Sequence, residues 1–288
     1  MRFAKDFKDY ELLDVNNSNR LERWGDVILI RPDPQAIWQL PQDEKLWKKA
    51  HAVYHRSSAG GGYWEVLKSV PDVWSISYND LKFNLKPMGF KHTGLFPEQA
   101  VNWSLMQEII SKQKRPIKVL NLFAYTGGAT VACLKAGAAV THVDASRGMV
   151  AWAKENAVIS GVADKQVRWL VDDCKKFVER EIRRGNKYDG IVMDPPSYGR
   201  GPNGEVWKLE NNLEELLKLT SQVLSDNPVF FLLNTYTAGM SSTVLNYMVE
   251  EYIAKGKKGK VTTDEIGLKV TYRDLIMPAG NTTIWKMD

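Results

Sequence analysis

The chain has 288 residues, 44% hydrophobic and 25% charged, with 21 Gly and 12 Pro. That suits one large domain or a domain with a smaller companion, and it excludes disorder as the main state, since neither low hydrophobicity nor high net charge is present. Two cysteines exclude a disulfide scaffold and fit a reducing compartment, while a net charge of +5 permits a polyanionic partner without requiring one.

MRFAKDFKDYELLD at the N-terminus holds no apolar run of signal-peptide length, and no uninterrupted apolar window reaches the ~18 residues of a membrane span. The expectation is a soluble, cytoplasmic protein with no membrane partner. Up to about residue 95 the apolar runs are short: DVILIRPDP, WSISYND and LKFNLKP, each bounded by Gly, Pro, Asn or Asp. They read as antiparallel strands with turns. Five of the ten tryptophans fall here (Trp24, Trp38, Trp47, Trp64, Trp74), and residues 1–90 carry 13 Lys+Arg against 12 Asp+Glu. A small β-rich N-terminal domain over residues 1–90 is expected, with most of its tryptophans in the core. Gly60-Gly61-Gly62 reads as a mobile loop beside His55-Arg56 and Tyr63-Trp64.

Residues 91–288 change character. Pro97 to Ser111 reads as a helix with Pro97 at its first position. IKVLNLFAY (117–125) is a buried strand, followed by Thr126-Gly127-Gly128 and a helix. Strands then alternate with helices: AVTHVD (139–144), VRWLV (167–171), DGIVMD (189–194) and VFFLLN (229–234), with helices near 147–160, 173–184, 209–225 and 241–255. Such alternation implies βαβ crossovers and a mostly parallel sheet. IGLKVTYRDL and TTIWKM read as two strands joined through Met277 to Asn281, an antiparallel pair at the sheet edge.

Ligands of an open α/β sheet bind outside the carboxyl ends of its strands. The first strand ends in Phe123-Ala124-Tyr125-Thr126-Gly127-Gly128, where paired glycines allow a sharp turn and close approach of a ligand; a tight turn with nothing bound is the plain alternative. The second ends in Asp144, sixteen residues beyond Gly128, placed to accept both hydroxyls of a ribose, or else to cap the next helix together with Ser146. Asp172-Asp173 ends the third, where one carboxylate can accept an adenine amine and the other act as an N-cap. Together these describe an adenosine laid across the sheet edge. G-x-G-x-x-G is absent, which favours S-adenosylmethionine over a dinucleotide. The fourth strand ends in Asp194-Pro195-Pro196-Ser197-Tyr198-Gly199, whose rigid backbone can present carbonyls to an amine or a base edge.

NLFAYTGG, the Asp144 strand end, Asp173-Cys174-Lys175-Lys176-Phe177 and DPPSYG resemble class I S-adenosylmethionine-dependent methyltransferases. More narrowly, residues 90–288 resemble the bacterial large-subunit ribosomal-RNA methyltransferase group that carries an N-terminal accessory domain. That group has a Lys-Thr-Gly stretch before the first core strand; here it reads His92-Thr93-Gly94-Leu95-Phe96-Pro97-Glu98-Gln99, with His in place of Lys. The resemblance implies a Rossmann-like, seven-stranded sheet. It also implies that Asn121, Phe123, Tyr125, Thr126, Gly127 and Gly128 surround the methionine end of the cofactor. Asp144, Ala145 and Ser146 would meet the ribose, Asp172 and Asp173 the adenine amine, and Cys174 the adenine. Thr93, Phe96 and Gln99 would close over the cofactor. Asp194, Pro195 and Tyr198 would face the acceptor, Asp194 also bordering the cofactor.

Members of this group that methylate cytosine C5 place a cysteine just after the fifth strand. This chain has Asn234-Thr235-Tyr236-Thr237 there, and neither Cys133 nor Cys174 lies where it can attack a base. Direct transfer to a nucleophilic nitrogen or oxygen is therefore expected, with ribosomal RNA as partner and S-adenosylhomocysteine as product. A methyltransferase for a small molecule or a protein side chain, and a non-catalytic cofactor-binding protein, are the rivals. His51, His55, His92 and His142 have no metal-ligand spacing with the cysteines, so no metal is expected. Lys255 to Lys260 is the densest basic run, suited to phosphate or simply to a solvated helix end. The sequence leaves the oligomeric state open.

Overall fold

The computed structural model describes residues 1–40, 43–57, 61–200, 206–237 and 239–287. The chain divides into two compact units, one of Met1–Arg2, Val101–Ile266 and Ala279–Asp288, the other of Phe3–Ala100 and Gly267–Pro278.

The second unit begins with strands β1 (Tyr10–Asn16), β2 (Asn19–Trp24) and β3 (Val27–Pro32). A short helix α1 (Glu44–Trp47) follows, then β4 (Ala52–Arg56) and β5 (Gly62–Val66). These five strands lie side by side in sequence order, and β6 (Trp74–Tyr78) with β7 (Leu81–Leu85) makes a separate hairpin. β1 and β2 are joined by Asn17-Ser18, both in the left-handed region at φ 48 and 56, the two-residue turn whose twist suits a hairpin. DVILIRPDP, WSISYND and LKFNLKP supply β3, β6 and β7. The all-antiparallel expectation is corrected at two places: β3 and β4 pair parallel, because the intervening segment with α1 carries the chain back to its starting end, and Leu12 of β1 pairs parallel with Val270. Gly60 lies outside the described residues, and Gly62 opens β5.

Two buried carboxylates organise this unit. Glu22, fully buried on β2, accepts both arms of the Arg31 guanidinium at 2.6 and 2.8 Å and the Tyr10 hydroxyl at 2.8 Å. Arg31 also stacks over Trp24 at 5.1 Å. Burial alone pushes Glu22 up, but Arg20 and Arg31 outweigh it and hold the carboxyl at about 2. Asp14 on β1 accepts from Arg273 Nε at 2.6 Å and from Trp47 Nε1 at 2.8 Å. The indoles of Trp38, Trp64 and Trp74 likewise donate to backbone carbonyls of Val15, Met88 and Trp24. The tryptophans are framework.

In the first unit, a 3-10 turn at Pro97–Gln99 leads from the other unit into helix α2 (Ala100–Ser111). There follow β8 (Lys118–Leu122), α3 (Gly128–Lys135), β9 (Ala139–Asp144), α4 (Arg147–Ile159), β10 (Val167–Val171) and α5 (Cys174–Arg184). The series continues with β11 (Gly190–Met193), the short strands β12 (Tyr198–Arg200) and β13 (Val206–Lys208), α6 (Leu209–Ser221), β14 (Phe230–Thr235) and α7 (Ser242–Val249). The chain ends in β15 (Lys260–Val270) and β16 (Leu275–Lys286), of which residues 267–270 and 275–278 belong to the second unit. Strand order is β10-β9-β8-β11-β14-β16-β15, parallel from β10 to β14, with β16 antiparallel to β14. The fully buried runs of β8, β11 and β14 are what a sheet covered on both faces requires. One face packs against Phe177, Val178, Leu213, Leu216, Leu217 and Leu245 from α5, α6 and α7.

The C-terminal pair differs from expectation in its turn. Met277 to Asn281 lies inside β16, and the reversal falls at residues 271–274. Pro278 is tolerated in the strand because the ladder with β14 begins only at Asn281, so no β14 hydrogen bond needs its missing N–H. No helix among the described residues is long and apolar enough to cross a membrane.

Candidate cofactor and acceptor site

The strand order reverses between β8 and β11: β9 and β10 follow to one side, β11 and β14 to the other. At such a switch point the crevice for a ligand lies beyond the carboxyl ends of the two central strands. Leu122 is in register with both Val143 and Met193, and Asp144 with Val171. Phe123, Asp144, Asp172 and Asp194 therefore leave the sheet at one level, from four adjacent strands.

The loop after β8 is unusual backbone. Phe123 (φ 55), Tyr125 (φ 50) and Gly127 (φ 84) are all left-handed. Its amides are held individually: Phe123 N–H donates to Cys174 Sγ at 3.2 Å, Ala124 N–H to the Val143 carbonyl at 3.1 Å, and Tyr125 N–H to Asp144 Oδ2 at 2.8 Å. The paired glycines have a packing reason. A Cβ on Gly127 would stand 2.8 Å from Ala153 Cβ, and one on Gly128 would meet the Trp103 ring at 2.8 Å. Their close approach is to helices α4 and α2, so the glycines let α3 start where the fold needs it.

Asp144 accepts two amides, Tyr125 N–H at Oδ2 and Ser146 N–H at Oδ1, each at 2.8 Å. Burial pushes its carboxyl up and these two amides pull it partly back; no cation enters the balance. The capping role belongs to Ser146, whose hydroxyl accepts from Met149 N–H at the start of α4. Asp173 is the N-cap of α5, accepting from Lys176 N–H at 2.8 Å, and Asp172 pairs with Arg180. Cys174 is buried, and burial raises its thiol far above the ordinary value. Asn121 turns inward: its amide donates to Thr130 Oγ1 at 2.9 Å, which in turn contacts His142 Nδ1 at 2.9 Å. Burial holds that imidazole at about 3, hence neutral. Asn156 donates to the Thr126 carbonyl at 2.8 Å, tying the loop to α4.

At the β11 end, Asp194 Oδ1 accepts at 3.3 Å from the side-chain amide of Asn234, the penultimate residue of β14. Pro195 is buried and Pro196 exposed. The Pro196 carbonyl accepts from Trp207 Nε1 at 2.6 Å, so one carbonyl of the array is already taken within the protein. Ser197 Oγ accepts from Thr237 Oγ1 at 2.8 Å. Tyr198 is half exposed on β12, opposite Lys208. Thr93, Phe96 and Gln99 belong to the other unit. There, Thr93 is fully buried, the Phe96 ring lies 5.2 Å from that of His92, and Gln99 sits in the 3-10 turn. Among the described residues no group of three or more His, Cys, Asp and Glu is arranged to hold a metal. In the basic run, Lys255 pairs with Glu251 and Lys257 donates to the Ile253 carbonyl.

Asn234 escaped the sequence reading as a site residue, although a polar residue closing an apolar strand was the signal used for Asp144. Its supporting partners Thr282 and Asn102 carry no such signal.

Two carboxylates at the ends of β9 and β11 flank a left-handed loop at the switch point, the place where an α/β sheet of this order takes its ligand. An S-adenosyl group fits this donor set: Asp144 has acceptor lone pairs beyond the two amides it takes, and no cation competes for it. The chain matches the S-adenosylmethionine-dependent methyltransferase family over residues 38–228 and belongs to it. It is 34% identical to the S-adenosylmethionine-dependent methyltransferase from Agrobacterium tumefaciens, whose crystal structure superposes with a TM-score of 0.93 over 99% of this chain and 92% of that one. It is 32% identical over 207 residues to the ribosomal RNA large subunit methyltransferase K/L of Shewanella frigidimarina, and 29% identical over 195 residues to that of Shewanella sp. strain MR-4. These matches take in 71% and 67% of this chain but only 27% and 26% of the relatives, so the chain spans about a quarter of their length.

Proposed function

We propose that this methyltransferase acts on ribosomal RNA, at a nitrogen or oxygen, in the cytoplasm and without a cysteine nucleophile. The observation that carries the choice of atom is the pair Asp194–Asn234 together with the state of the two thiols. Cys133 is fully buried in α3 and burial pushes its thiol up to about 12; Cys174 is higher still. Neither is a thiolate at neutral pH, and Asn234-Thr235-Tyr236-Thr237, at the end of the fifth core strand, holds no cysteine. A carbon acceptor that needs covalent activation is disfavoured by both facts.

S-adenosylmethionine supplies an electrophilic methyl group on a sulfonium. What remains for the chain is to hold the acceptor in line, exclude water and accept a hydrogen bond or proton from the acceptor. Asp194 is the residue for that last role, with Pro195 stiffening the backbone behind it and Tyr198 offering a ring for a base to stack on. Asp144 would hold the ribose hydroxyls, Asp173 the adenine amine and Cys174 the adenine edge, with Tyr125 and the loop from Phe123 to Gly128 around the methionine end. In this reading the parallel core and its antiparallel C-terminal strands form the seven-stranded sheet of residues 91–288. Residues 1–90 are a β-rich accessory domain, and Thr93, Phe96 and Gln99 act as the cofactor's cover.

RNA as partner is supported by the K/L relatives. The test is transfer of labelled methyl from S-adenosylmethionine into extract of a strain lacking this gene, fractionated into RNA, protein and small molecules. Label in ribosomal RNA, abolished by Asp194→Ala, is the expected result. Label confined to protein or small molecules overturns the substrate, and full turnover by Asp194→Ala overturns its role.

A further inference from the structure

Four polar side chains in the first unit, three of them fully buried, link the end of β11 to the start of the chain. Asn234 Nδ2 donates to Asp194 Oδ1 at 3.3 Å. Asn234 Oδ1 accepts from Thr282 Oγ1 at 2.8 Å, and Thr282 Oγ1 accepts from Asn102 Nδ2 at 2.9 Å. Asn102 Oδ1 accepts from Arg2 Nη2 at 3.2 Å. Asn102, Thr282 and Asn234 are at most 1% exposed. Arg2 is pinned at its backbone, which donates to the Glu265 carbonyl at 2.7 Å and bridges to Ile266, while its Nε lies 3.5 Å from Asp264.

The polarity of this chain follows from chemistry. A guanidinium has donors and no acceptor. Facing Arg2, Asn102 must present its oxygen, which turns its NH2 toward Thr282. The Thr282 hydroxyl, already accepting, sends its proton on to Asn234. Asn234 therefore shows Thr282 its oxygen and Asp194 its NH2. An ionised carboxylate, the group at the far end, can only accept. A pure donor and a pure acceptor close the two ends, and every link between has one allowed direction.

We propose that Arg2, Asn102, Thr282 and Asn234 form a one-way hydrogen-bond relay that fixes the orientation of the Asp194 carboxylate at the acceptor site. The proposal rests on the role given to Asp194 above. Asn234 is a positioning residue, Thr282 and Asn102 determine which face of its amide reaches Asp194, and Arg2 sets the sense of the whole chain. A neutral amide is well suited here, because it holds one carboxylate oxygen in place without cancelling the charge, as a Lys or Arg there would. Linked donors in a dry interior also polarise one another, so Asn234 is a stronger donor than an isolated amide.

The experiment uses the full chain, S-adenosylmethionine and ribosomal RNA from a strain lacking the gene, with S-adenosylhomocysteine binding measured by calorimetry. Thr282→Val keeps the shape and removes both hydrogen bonds; kcat is expected to fall about tenfold while the KM for S-adenosylmethionine and the binding of S-adenosylhomocysteine stay within about twofold. Thr282→Ser restores most of the loss. Asn102→Asp still accepts from Arg2 but no longer donates to Thr282, and its kcat falls about as far. Should Thr282→Val lose S-adenosylhomocysteine binding through misfolding, Asn102→Asp, which keeps an ion partner for Arg2, decides. A kcat within twofold of the parent for a folded Thr282→Val or Asn102→Asp, with Asp194→Ala inactive, overturns the relay alone. Full turnover by Asp194→Ala overturns the reading of Asp194 and the relay with it.

Discussion

Glu22 in one unit is fully buried and Asp144 in the other partly buried, and the two carboxylates are held in opposite ways. Glu22 is clamped by cations: Arg31 bidentate at 2.6 and 2.8 Å, Arg20 at 3.7 Å, and the Tyr10 hydroxyl. Burial raises it, the two arginines overcome burial, and it rests at about 2. Asp144 is held by two backbone amides, and burial keeps it above the usual aspartate value. The difference separates framework from site. A carboxylate saturated by cations has nothing left to offer a ligand, whereas one positioned by amides keeps spare lone pairs. Asp194 Oδ1 likewise accepts from the Asn234 side-chain amide.

The largest expected effect breaks the framework side. Arg31→Met fills similar space but leaves Glu22 buried with the Tyr10 hydroxyl and the more distant Arg20 as its partners. Losing one partner of a buried pair costs about 3–5 kcal/mol, and urea unfolding should show a loss of that order. A loss below about 1 kcal/mol would mean that water or Arg20 compensates, and the contrast with Asp144 would collapse.

The site side responds differently. Asp144→Asn keeps the shape and removes the charge. Binding of S-adenosylhomocysteine is expected to weaken about 10- to 100-fold by calorimetry, as befits hydrogen bonds to a charged group. Asparagine turns its NH2 toward one of the two amides that Asp144 accepts, so stability at neutral pH should fall by only about 1 kcal/mol, the charge itself adding none there, for a reason of sign. A carboxyl whose folded value is raised binds more protons folded than unfolded, so its contribution is fullest at low pH and is lost as pH rises through the folded value. Glu22 runs the other way: its contribution is present above the unfolded value near 4.5 and is lost as pH falls toward about 2. A loss of about 3–5 kcal/mol by Asp144→Asn at neutral pH would place Asp144 with the framework.

Much of the site was legible because a parallel sheet concentrates function at strand ends, and strand ends are visible as apolar runs closing on a polar residue. NLFAYTGG, Asp144, Asp172-Asp173 and DPPSYG were found that way. The second unit was harder. YELLDVN and NRLERW became β1 and β2 although Asp14 and Glu22 sit on their buried faces, and inward charges spoil the alternation by which a strand is recognised. Asp14 is made tenable by Arg273, hidden 259 residues on, and Glu22 by Arg31, nine residues on but on the next strand, so that only the strand pairing brings the two together. Distance also hides the partners of Asn234: Thr282 lies 48 residues from it, and Asn102 lies 180 residues from Thr282. Met277 to Asn281 failed for a local reason, since Pro-Ala-Gly-Asn has turn chemistry whatever strand it occupies.

The smallest effect sharpens the comparison within the site itself, where capping and ligand binding compete as readings of one residue. Ser146 and Asp173 are both N-caps, of α4 and α5, and each accepts from the amide three residues on, Met149 and Lys176. Losing a cap costs about 1 kcal/mol, so Ser146→Ala and Asp173→Ala should lower the unfolding midpoint by similar small amounts. If capping were all that Asp173 did, the two variants would bind S-adenosylhomocysteine alike. A carboxylate has a second oxygen, which Lys176 N–H does not use and an adenine amine can reach, so Asp173→Ala should bind about tenfold more weakly than Ser146→Ala. Asp173→Asn discriminates further. Its side-chain oxygen still caps α5 and keeps the midpoint near the parent value, while the amide now offers a donor where the adenine amine also needs an acceptor. Parent-like binding by Asp173→Asn would return Asp173 to the framework, leaving Asp144 as the strand-end carboxylate that carries the nucleoside.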